Sequence, residues 1–212
     1  MRLKITEIFH SIQGEGLTAG VPTVFVRLTG CPLRCSYCDT AYAFSGGEYL
    51  DLGAILRQVA AYGTSHVTVT GGEPLAQAGC LPLLSALCDA GHVVSLETSG
   101  ALDVTPVDPR VVRVLDLKTP SSGECGRNLY SNLAQLRAAD QVKFVLADRA
   151  DYDWAVQTAA QHGIGQRATV LFSPVHGALD GAVLAQWMLD DRLPYRLQLQ
   201  LHKLLWGEEP GR

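Results

Sequence analysis

The sequence predicts an α/β fold with a parallel β-sheet, and three observations support that prediction. Short apolar runs rich in β-branched residues recur along the 212 residues, segments with helical periodicity separate most of them, and glycine-rich or polar clusters follow the runs. Strands that alternate with helices favour right-handed βαβ units, which build an open doubly wound sheet or a full or partial barrel. The pattern alone does not choose between these arrangements.

Eight strands are predicted from the apolar runs. They cover residues 2–9, 24–29, 66–70, 92–97, 112–117, 141–146, 168–173 and 195–201. The clearest helix spans residues 51–62, where the apolar residues form one stripe, Asp51 is a suitable N-cap and Gly63 is a suitable C-terminal stop. Two further helices are predicted to end at Gly91 and Gly163.

Composition limits the class of protein. With 47% hydrophobic and 18% charged residues, the chain has enough apolar material for one core, and we expect a single domain over residues 1–212. The formal net charge of −4 argues against a nucleic-acid partner, because such proteins usually present a basic face. No run reaches the roughly 18 consecutive apolar residues of a membrane span. We therefore expect a cytoplasmic protein without nucleic-acid or membrane partners.

Three of the six cysteines crowd into one short segment, at Cys31, Cys35 and Cys38. This spacing suits a metal centre better than mutual disulfides. A structural zinc site needs four protein ligands, and the sequence has no second short-spaced pair of cysteines or histidines. A 4Fe-4S cluster held by three cysteines instead leaves one iron open to a small chelating molecule. The spacing favours iron–sulfur over zinc and leaves zinc as the alternative.

Polar and glycine-rich clusters follow six of the predicted strands. They lie at residues 31–40, 71–74, 97–100, 116–118, 173–176 and 198–202. Because the carboxyl ends of parallel strands meet on one side of a sheet, where such folds place their ligands, we expect these clusters to line one pocket.

Two of these clusters resemble the signature motifs of the radical S-adenosylmethionine (SAM) enzymes. Residues 31–38 read Cys-Pro-Leu-Arg-Cys-Ser-Tyr-Cys, with an aromatic residue before the third cysteine, and residues 71–74 read Gly-Gly-Glu-Pro. The glycines permit close backbone approach, and Glu73 or a backbone carbonyl is a suitable acceptor for the SAM ammonium group.

Further segments narrow the resemblance to the 7-carboxy-7-deazaguanine synthases of queuosine and deazapurine biosynthesis. The matching segments are residues 11–16, 25–30, 38–40, 69–70, 97–100 and 198–203. The resemblance implies a partial, modified TIM-type barrel of parallel strands with surrounding helices. It also implies a lyase that contracts 6-carboxy-5,6,7,8-tetrahydropterin to 7-carboxy-7-deazaguanine with loss of ammonia, after one electron cleaves SAM to the 5′-deoxyadenosyl radical.

The resemblance also assigns site residues. The 4Fe-4S ligands would be Cys31, Cys35 and Cys38, and Thr40 would contact Mg²⁺. SAM would lie along Tyr37, Asp39, Gly72, Ser99, Lys118 and Ser173. The pterin would contact Ile12, Gln13, Gly14, Glu15, Arg27, Thr70 and His202.

Among the pterin contacts, the Arg27 guanidinium is suited to the substrate carboxylate, with a strand-end salt bridge as the alternative, and Glu15 is suited to the 2-amino group. Glu15, Glu97, His176 and His202 are unranked acid or base candidates, and no catalytic residue is assigned.

The family further implies a homodimer and a flavodoxin or ferredoxin-type reductant. Two other functions stay open at this point. A radical SAM activase that modifies a partner protein shares the cysteine spacing, but it would not need the small-molecule residues at Gln13, Glu15 and Arg27. A zinc-stabilised binding module is disfavoured by the acidic charge and the single cysteine cluster.

Overall fold

A computed structural model describes residues 1–207, 209 and 211, and its centre is one nine-stranded sheet. The strands are β1 (Arg2–Ile12), β2 (Pro22–Leu28), β3 (Glu48–Asp51), β4 (His66–Gly71), β5 (Val93–Thr98), β6 (Val112–Leu117), β7 (Gln141–Leu146), β8 (Thr169–Pro174) and β9 (Arg196–Leu197). Their spatial order is β3-β1-β2-β4-β5-β6-β7-β8-β9.

Strand directions define a parallel sheet with an antiparallel margin. β1 runs antiparallel to both of its neighbours, β2 and β3, whereas every pairing from β2 to β9 is parallel. The two outermost strands, β3 and β9, do not pair with each other, so the sheet stays open. This arrangement confirms the predicted α/β partial barrel.

Five α-helices accompany the sheet: α1 (Leu52–Ala61), α2 (Cys80–Asp89), α3 (Arg149–Gln161), α4 (Gly181–Asp190) and α5 (Leu201–Trp206). The predicted cap of α1 is confirmed, because the Asp51 carboxylate accepts a hydrogen bond of 2.8 Å from the Ala54 backbone N–H. Gly63 follows this helix with a left-handed φ of 67°. No helix in the described residues is long and apolar enough to cross a bilayer.

Two elements differ from the prediction. The strand expected over 195–201 is reduced to the two residues of β9, and α5 begins at Leu201. The reason is local: the Gln198 and Gln200 side chains donate to Glu15, and the Leu201 N–H donates to the Gly14 carbonyl, so this segment turns toward the site. Strand β3 was not predicted, because its four residues are mostly exposed and lack an apolar pattern.

The crossovers also differ along the sheet. The chain passes from β5 to β6 and from β6 to β7 without an α-helix, and the second of these crossovers is built from short 3₁₀ turns. The other parallel crossovers contain α1, α2, α3 or α4. The barrel is therefore incomplete in its helical layer as well as in its strands.

The two faces of the sheet have different compositions. On β4, Val67 and Val69 are buried in the apolar core, whereas the Thr68 and Thr70 side chains make polar contacts. The same alternation recurs on β7, where Phe144 joins the core and Lys143 makes ion pairs. Successive side chains of a strand point to opposite faces, so the outer face forms the core under the helices and the inner face is polar.

Candidate active site

One cavity of about 260 Å³ opens at the carboxyl ends of the parallel strands. It is lined by nearly all of the predicted site residues: Ile12, Gln13, Glu15, Arg27, Cys31, Cys35, Tyr37, Cys38, Asp39, Thr40, Thr70, Gly72, Ser99, Lys118 and His202. Two predicted residues lie off its wall. Gly14 packs behind His202, and Ser173 is buried one residue before Pro174, which does line the cavity.

The three clustered cysteines lie on a loop that is fastened at several points. The Arg34 guanidinium donates to the Cys31 carbonyl at 2.7 Å and stacks over the Phe44 ring at 4.3 Å. The Ser36 hydroxyl donates to the Ser121 carbonyl at 2.6 Å. Leu33 anchors the loop in the interior with 1% of its surface exposed. These contacts turn all three cysteines toward the same cavity.

The cysteine arrangement fits a polynuclear cluster. The three thiols line one cavity, and all six cysteines of the chain are free. Burial raises the pKa of the Cys31 and Cys35 thiols, and a metal centre would displace these protons. Among the described residues, no three His, Cys, Asp or Glu side chains approach closely enough to enclose a single metal ion. The three thiols face one cavity, as a cluster held by three cysteines requires.

The glycine motif packs directly against the cysteine loop. A Cβ atom at Gly72 would lie 2.3 Å from the Gly30 carbonyl oxygen and 2.8 Å from the Cys31 Cβ. The Glu73 N–H donates to that same Gly30 carbonyl at 2.8 Å. No other residue fits at position 72 without moving the loop that carries Cys31.

The Glu73 carboxylate, one of the two acceptors suggested for the SAM ammonium group, is engaged in hydrogen bonds within the protein. The Glu73 side chain is fully buried and does not line the cavity. Its carboxylate accepts hydrogen bonds from the Thr98 hydroxyl, from both the N–H and the hydroxyl of Ser99, and from the Leu75 N–H. Glu73 therefore ties the end of β4 to the end of β5 and fixes Ser99.

A chain of charged groups crosses the floor of the cavity. Lys143 lies 2.7 Å from the Glu15 carboxylate and 3.5 Å from that of Asp116, and Lys118 lies 3.1 Å from Asp116. Asp116 Oδ1 is buried and has no hydrogen-bond partner among the described residues. A buried unpaired acceptor is costly, so this oxygen is suited to a bound ligand.

Lys143 was missed by the sequence analysis. It lies within the apolar run of β7 and was interpreted only as part of a buried strand. A lysine inside such a run is itself a signal, because buried lysines are rare unless they are paired. Although burial opposes its charge, the carboxylates of Glu15, Asp116 and Glu97 hold the pKa of Lys143 well above its usual value.

Two glutamates of the cavity have opposite pKa shifts. For Glu15 burial is outweighed by Lys143 and by hydrogen bonds from Lys143 and Gln200, so its pKa is lowered. For Glu97 burial and the neighbouring Glu15 charge raise the pKa, and the Thr70 hydroxyl donates to its carboxyl group at 3.0 Å. The site thus holds one ionised carboxylate beside one carboxyl group that resists ionisation.

Arg27 forms the salt bridge that was the alternative interpretation, and it also lines the cavity. Its Nε donates to Glu7 Oε1 at 2.6 Å, and its guanidinium lies 5.8 Å from the centre of the Tyr42 ring. In the described part of the chain, the two terminal nitrogens of Arg27 have no acceptor. They stay available for a bidentate pair with a ligand carboxylate.

The segment from Gln198 to Lys203 closes one side of the cavity. Gln200 donates to Glu15 at 2.9 Å and to Asp39 at 3.2 Å, and Lys203 lies 3.6 Å from Asp39. A Cβ at Gly14 would lie 2.1 Å from His202 Nδ1, so the imidazole lies against bare backbone. Burial lowers the pKa of His202, which makes the ring neutral at neutral pH.

The residues that end the cysteine loop are also fixed. The Tyr37 hydroxyl lies 3.0 Å from the Thr119 hydroxyl, and burial raises the pKa of Tyr37 to about 12, so it stays protonated. The Thr40 hydroxyl donates to Asp39 Oδ1 at 2.8 Å. Hydroxyl and carboxylate oxygens are thus adjacent at the cavity edge, which is the donor set that Mg²⁺ prefers.

Comparison with known proteins identifies relatives of this chain. A family model described as the Radical SAM superfamily matches residues 25–116. The "7-carboxy-7-deazaguanine synthase" of Chlorobaculum tepidum is 49% identical over 98% of this chain and 96% of that protein. The protein of the same name from Koribacter versatilis is 40% identical over 98% of both chains.

Two solved structures share the fold. The crystal structure of QueE from Escherichia coli superposes with a TM-score of 0.79 at 24% identity and covers 95% of both chains. Streptococcus suis SuiB bound to S-adenosylmethionine superposes with a TM-score of 0.59 at 15% identity, over 81% of this chain and 48% of that chain. At these identities the likeness concerns the arrangement of strands and helices.

Proposed function

This chain belongs to the 7-carboxy-7-deazaguanine synthase family of the radical SAM superfamily, and from that membership we propose that it converts 6-carboxy-5,6,7,8-tetrahydropterin to 7-carboxy-7-deazaguanine and ammonia. The observation that carries the proposal is the single cavity that joins the three cysteines to Arg27, Glu15 and Lys143. The substrate and the organic product differ by one molecule of ammonia, so the conversion needs no net oxidant.

The enzyme uses a 4Fe-4S cluster and SAM, as its superfamily requires. Cys31, Cys35 and Cys38 would hold the cluster, which supplies one electron to SAM when it is bound. Along SAM we propose Tyr37, Asp39, Gly72, Ser99, Lys118 and Ser173. Gly72 provides close backbone approach, and Ser99 is held in one orientation by Glu73. Ser173 lies off the cavity wall and stays a prediction.

The pterin would bind above the charged floor. The free guanidinium nitrogens of Arg27 would pair with the substrate carboxylate, and the ionised Glu15 would accept from the 2-amino group. Lys143 and Gln200 hold Glu15 in position through hydrogen bonds. Gln13, Gly14, Thr70, Ile12 and His202 would complete the contacts.

Glu97 is the group best placed to hold a transferable proton. Burial and the neighbouring Glu15 charge raise its pKa, which favours the protonated form relative to Glu15, and the Thr70 hydroxyl holds the carboxyl group on the cavity wall. A departing amine needs a proton, and a protonated carboxyl group within the site is a suitable donor. We therefore place Glu97 ahead of Glu15, which is ionised and paired with Lys143.

Several finer assignments belong to the same proposal. Mg²⁺ would bind at Thr40, beside Asp39, and a flavodoxin or ferredoxin-type protein would deliver the electron. We also propose one domain over residues 1–212, a homodimer, and a cytoplasmic location. Leu204 and Leu205 on α5 are 67% and 54% exposed, which supports a partner surface near this helix.

The activase reading has less support. Family membership favours the small-molecule reaction, and Gln13, Glu15 and Arg27, which an activase would not need, all line the cavity. The zinc-module reading is likewise disfavoured by the superfamily match.

An anaerobic assay tests the proposal. Reconstituted protein would be incubated with SAM, dithionite, Mg²⁺ and the carboxytetrahydropterin, and the deazaguanine product followed by mass spectrometry. We expect product from the wild type and none from Cys35→Ala. Cleavage of SAM without conversion of the pterin would keep the superfamily chemistry and overturn the substrate.

A further inference from the structure

A second, smaller cavity lies inside the sheet, directly below the active site. Its volume is about 40 Å³. Gln13, Glu15, Glu97 and Val114 line both this cavity and the active-site cavity. The two cavities therefore adjoin at these residues, with the two glutamates between them.

The lower cavity leads to the opposite end of the sheet. Its far wall is formed by residues that begin strands: His66 of β4, Val93 of β5 and Val112 of β6. Val93 is 51% exposed, so this wall reaches the protein surface. The inner face of the barrel thus holds a small cavity between the residues that it shares with the active site and this exposed amino-end wall. We call this space, lined at its middle by Thr68 and Ser95, the inner passage.

The size of the inner passage selects very small molecules. A cavity of this volume holds only a few molecules the size of water or ammonia. SAM and a purine are far too large. The organic product must therefore leave by the wider opening at the carboxyl ends.

The walls of the inner passage suit an uncharged polar molecule. The Thr68 and Ser95 hydroxyls lie 2.8 Å apart, and Gln13 Nε2 donates to Thr68 at 3.1 Å. Valines 93, 112 and 114 add apolar surface, Thr18, Thr23, His66 and Gln141 add polar groups, and the acidic groups are those of Glu15 and Glu97. Hydroxyl groups can exchange hydrogen bonds with ammonia, whereas an ion moving through such a space would lose most of its hydration.

We propose that the inner passage opens to the active-site cavity past the shared residues and releases the ammonia formed by ring contraction at the amino end of the sheet, while the deazaguanine leaves at the carboxyl end. This inference rests on the proposed function, which is the source of the ammonia. It separates the two products: ammonia departs past Thr68 and Ser95 without waiting for the larger product to clear the site. No bond changes in the passage, so the step needs no reagent.

Substitution at Ser95 tests the route. Ser95→Leu fills the middle of the passage, whereas Ser95→Ala removes the hydroxyl and leaves the space open. Val93→Phe closes the outlet from the exposed end and provides a second blocked variant if the core change prevents folding. Thermal melting of each variant checks that the fold is retained.

Free ammonia would be followed by an anaerobic glutamate dehydrogenase assay during a single turnover, and free deazaguanine would be measured in parallel. In the wild type and in Ser95→Ala, ammonia is expected in solution before deazaguanine. In Ser95→Leu and Val93→Phe it is expected to appear together with deazaguanine, with steady-state turnover reduced several-fold. Ammonia that still precedes deazaguanine in both blocked variants would overturn the proposal.

A readout without turnover separates this inference from the function itself. Crystals pressurised with krypton should show the gas in the inner passage, beside the Thr68–Ser95 pair, in the wild type and not in Ser95→Leu. Exclusion of krypton from the wild type, with normal ammonia production, overturns the passage alone. Entry of krypton into an enzyme that makes no ammonia from the pterin overturns the proposed function, and with it ammonia as the occupant.

Discussion

The outer and inner faces of the sheet are made by the same strands, yet they differ in chemistry and in what they do. On the outer face, Phe144 and Phe172 pack edge to face at 5.6 Å within the core. On the inner face, the neighbouring residue Lys143 pairs with Glu15 at 2.7 Å. The comparison shows that the residues that stabilise the fold and the residues that line the site lie on opposite faces, because successive side chains of a strand alternate between the faces. Mutations on the two faces are therefore expected to have separable effects.

The largest effect on stability is expected on the outer face. Phe144 is fully buried and also contacts Trp154. Phe144→Ala should lower the free energy of unfolding by about 3–5 kcal/mol, because it removes a large side chain and leaves a cavity. The matched control is Val145→Ala, one residue along on the cavity side. Equal losses in urea denaturation would contradict the division between the faces.

The inner face should instead control ligand binding. Glu15→Gln removes the charge that the 2-amino group would contact, and hydrogen bonds to charged groups contribute about 1.5–3 kcal/mol, so the KM for the pterin should rise roughly 10- to 100-fold. The control is Glu48→Gln, which changes the same charge on the exposed strand β3. An unchanged KM in Glu15→Gln would remove this residue from the proposed contacts.

The two inner glutamates should affect the pH dependence of stability with opposite signs. The pKa of Glu97 is raised in the folded state, so its contribution to stability is present below the unfolded-state pKa and is lost as the pH rises through the folded-state pKa. The pKa of Glu15 is lowered, so its contribution is lost as the pH falls through its folded-state pKa. Glu97→Gln should remove the loss of stability on the alkaline side and Glu15→Gln the loss on the acid side, as measured by unfolding at several pH values. If both substitutions changed the slope of stability against pH in the same direction relative to the wild type, the assignment would be contradicted.

The smallest effect is expected at the edge of the helical layer. Asp51→Ala removes the cap of α1 and should cost about 1 kcal/mol of stability without changing turnover. Asp51→Asn retains an acceptor at the same position and should stay near the wild type. A turnover defect in Asp51→Ala would show that the helical layer also controls the site.

The sequence predicted the outer face better than the inner one. Apolar periodicity located the parallel strands and α1, because burial against helices imposes a regular pattern on residues such as Ile55 and Val59. The cysteine loop and the glycine motif were also found, since their spacing is unusual. These features depend on neighbours close in sequence.

The parts that were not predicted depend on distant partners. Glu73 was one of two acceptors suggested for the SAM ammonium group, but the hydroxyl and N–H groups that donate to its carboxylate lie at the end of the next strand. Lys143 was hidden in an apolar run because its partners, Glu15 and Asp116, lie far away along the chain. The end of strand β9 was misjudged because Gln198 and Gln200 turn toward Glu15. Such contacts are set by the fold and leave no local pattern.

The open sheet has one further consequence, for aggregation. Its two outermost strands are also the shortest, with four residues in β3 and two in β9. Exposed charged side chains occur on both, at Glu48, Asp51 and Arg196. Short, charged edges offer few unpaired backbone groups to a strand from another molecule, which disfavours fibril-like addition. Self-association of this chain is therefore expected to use helical surfaces rather than to extend the sheet.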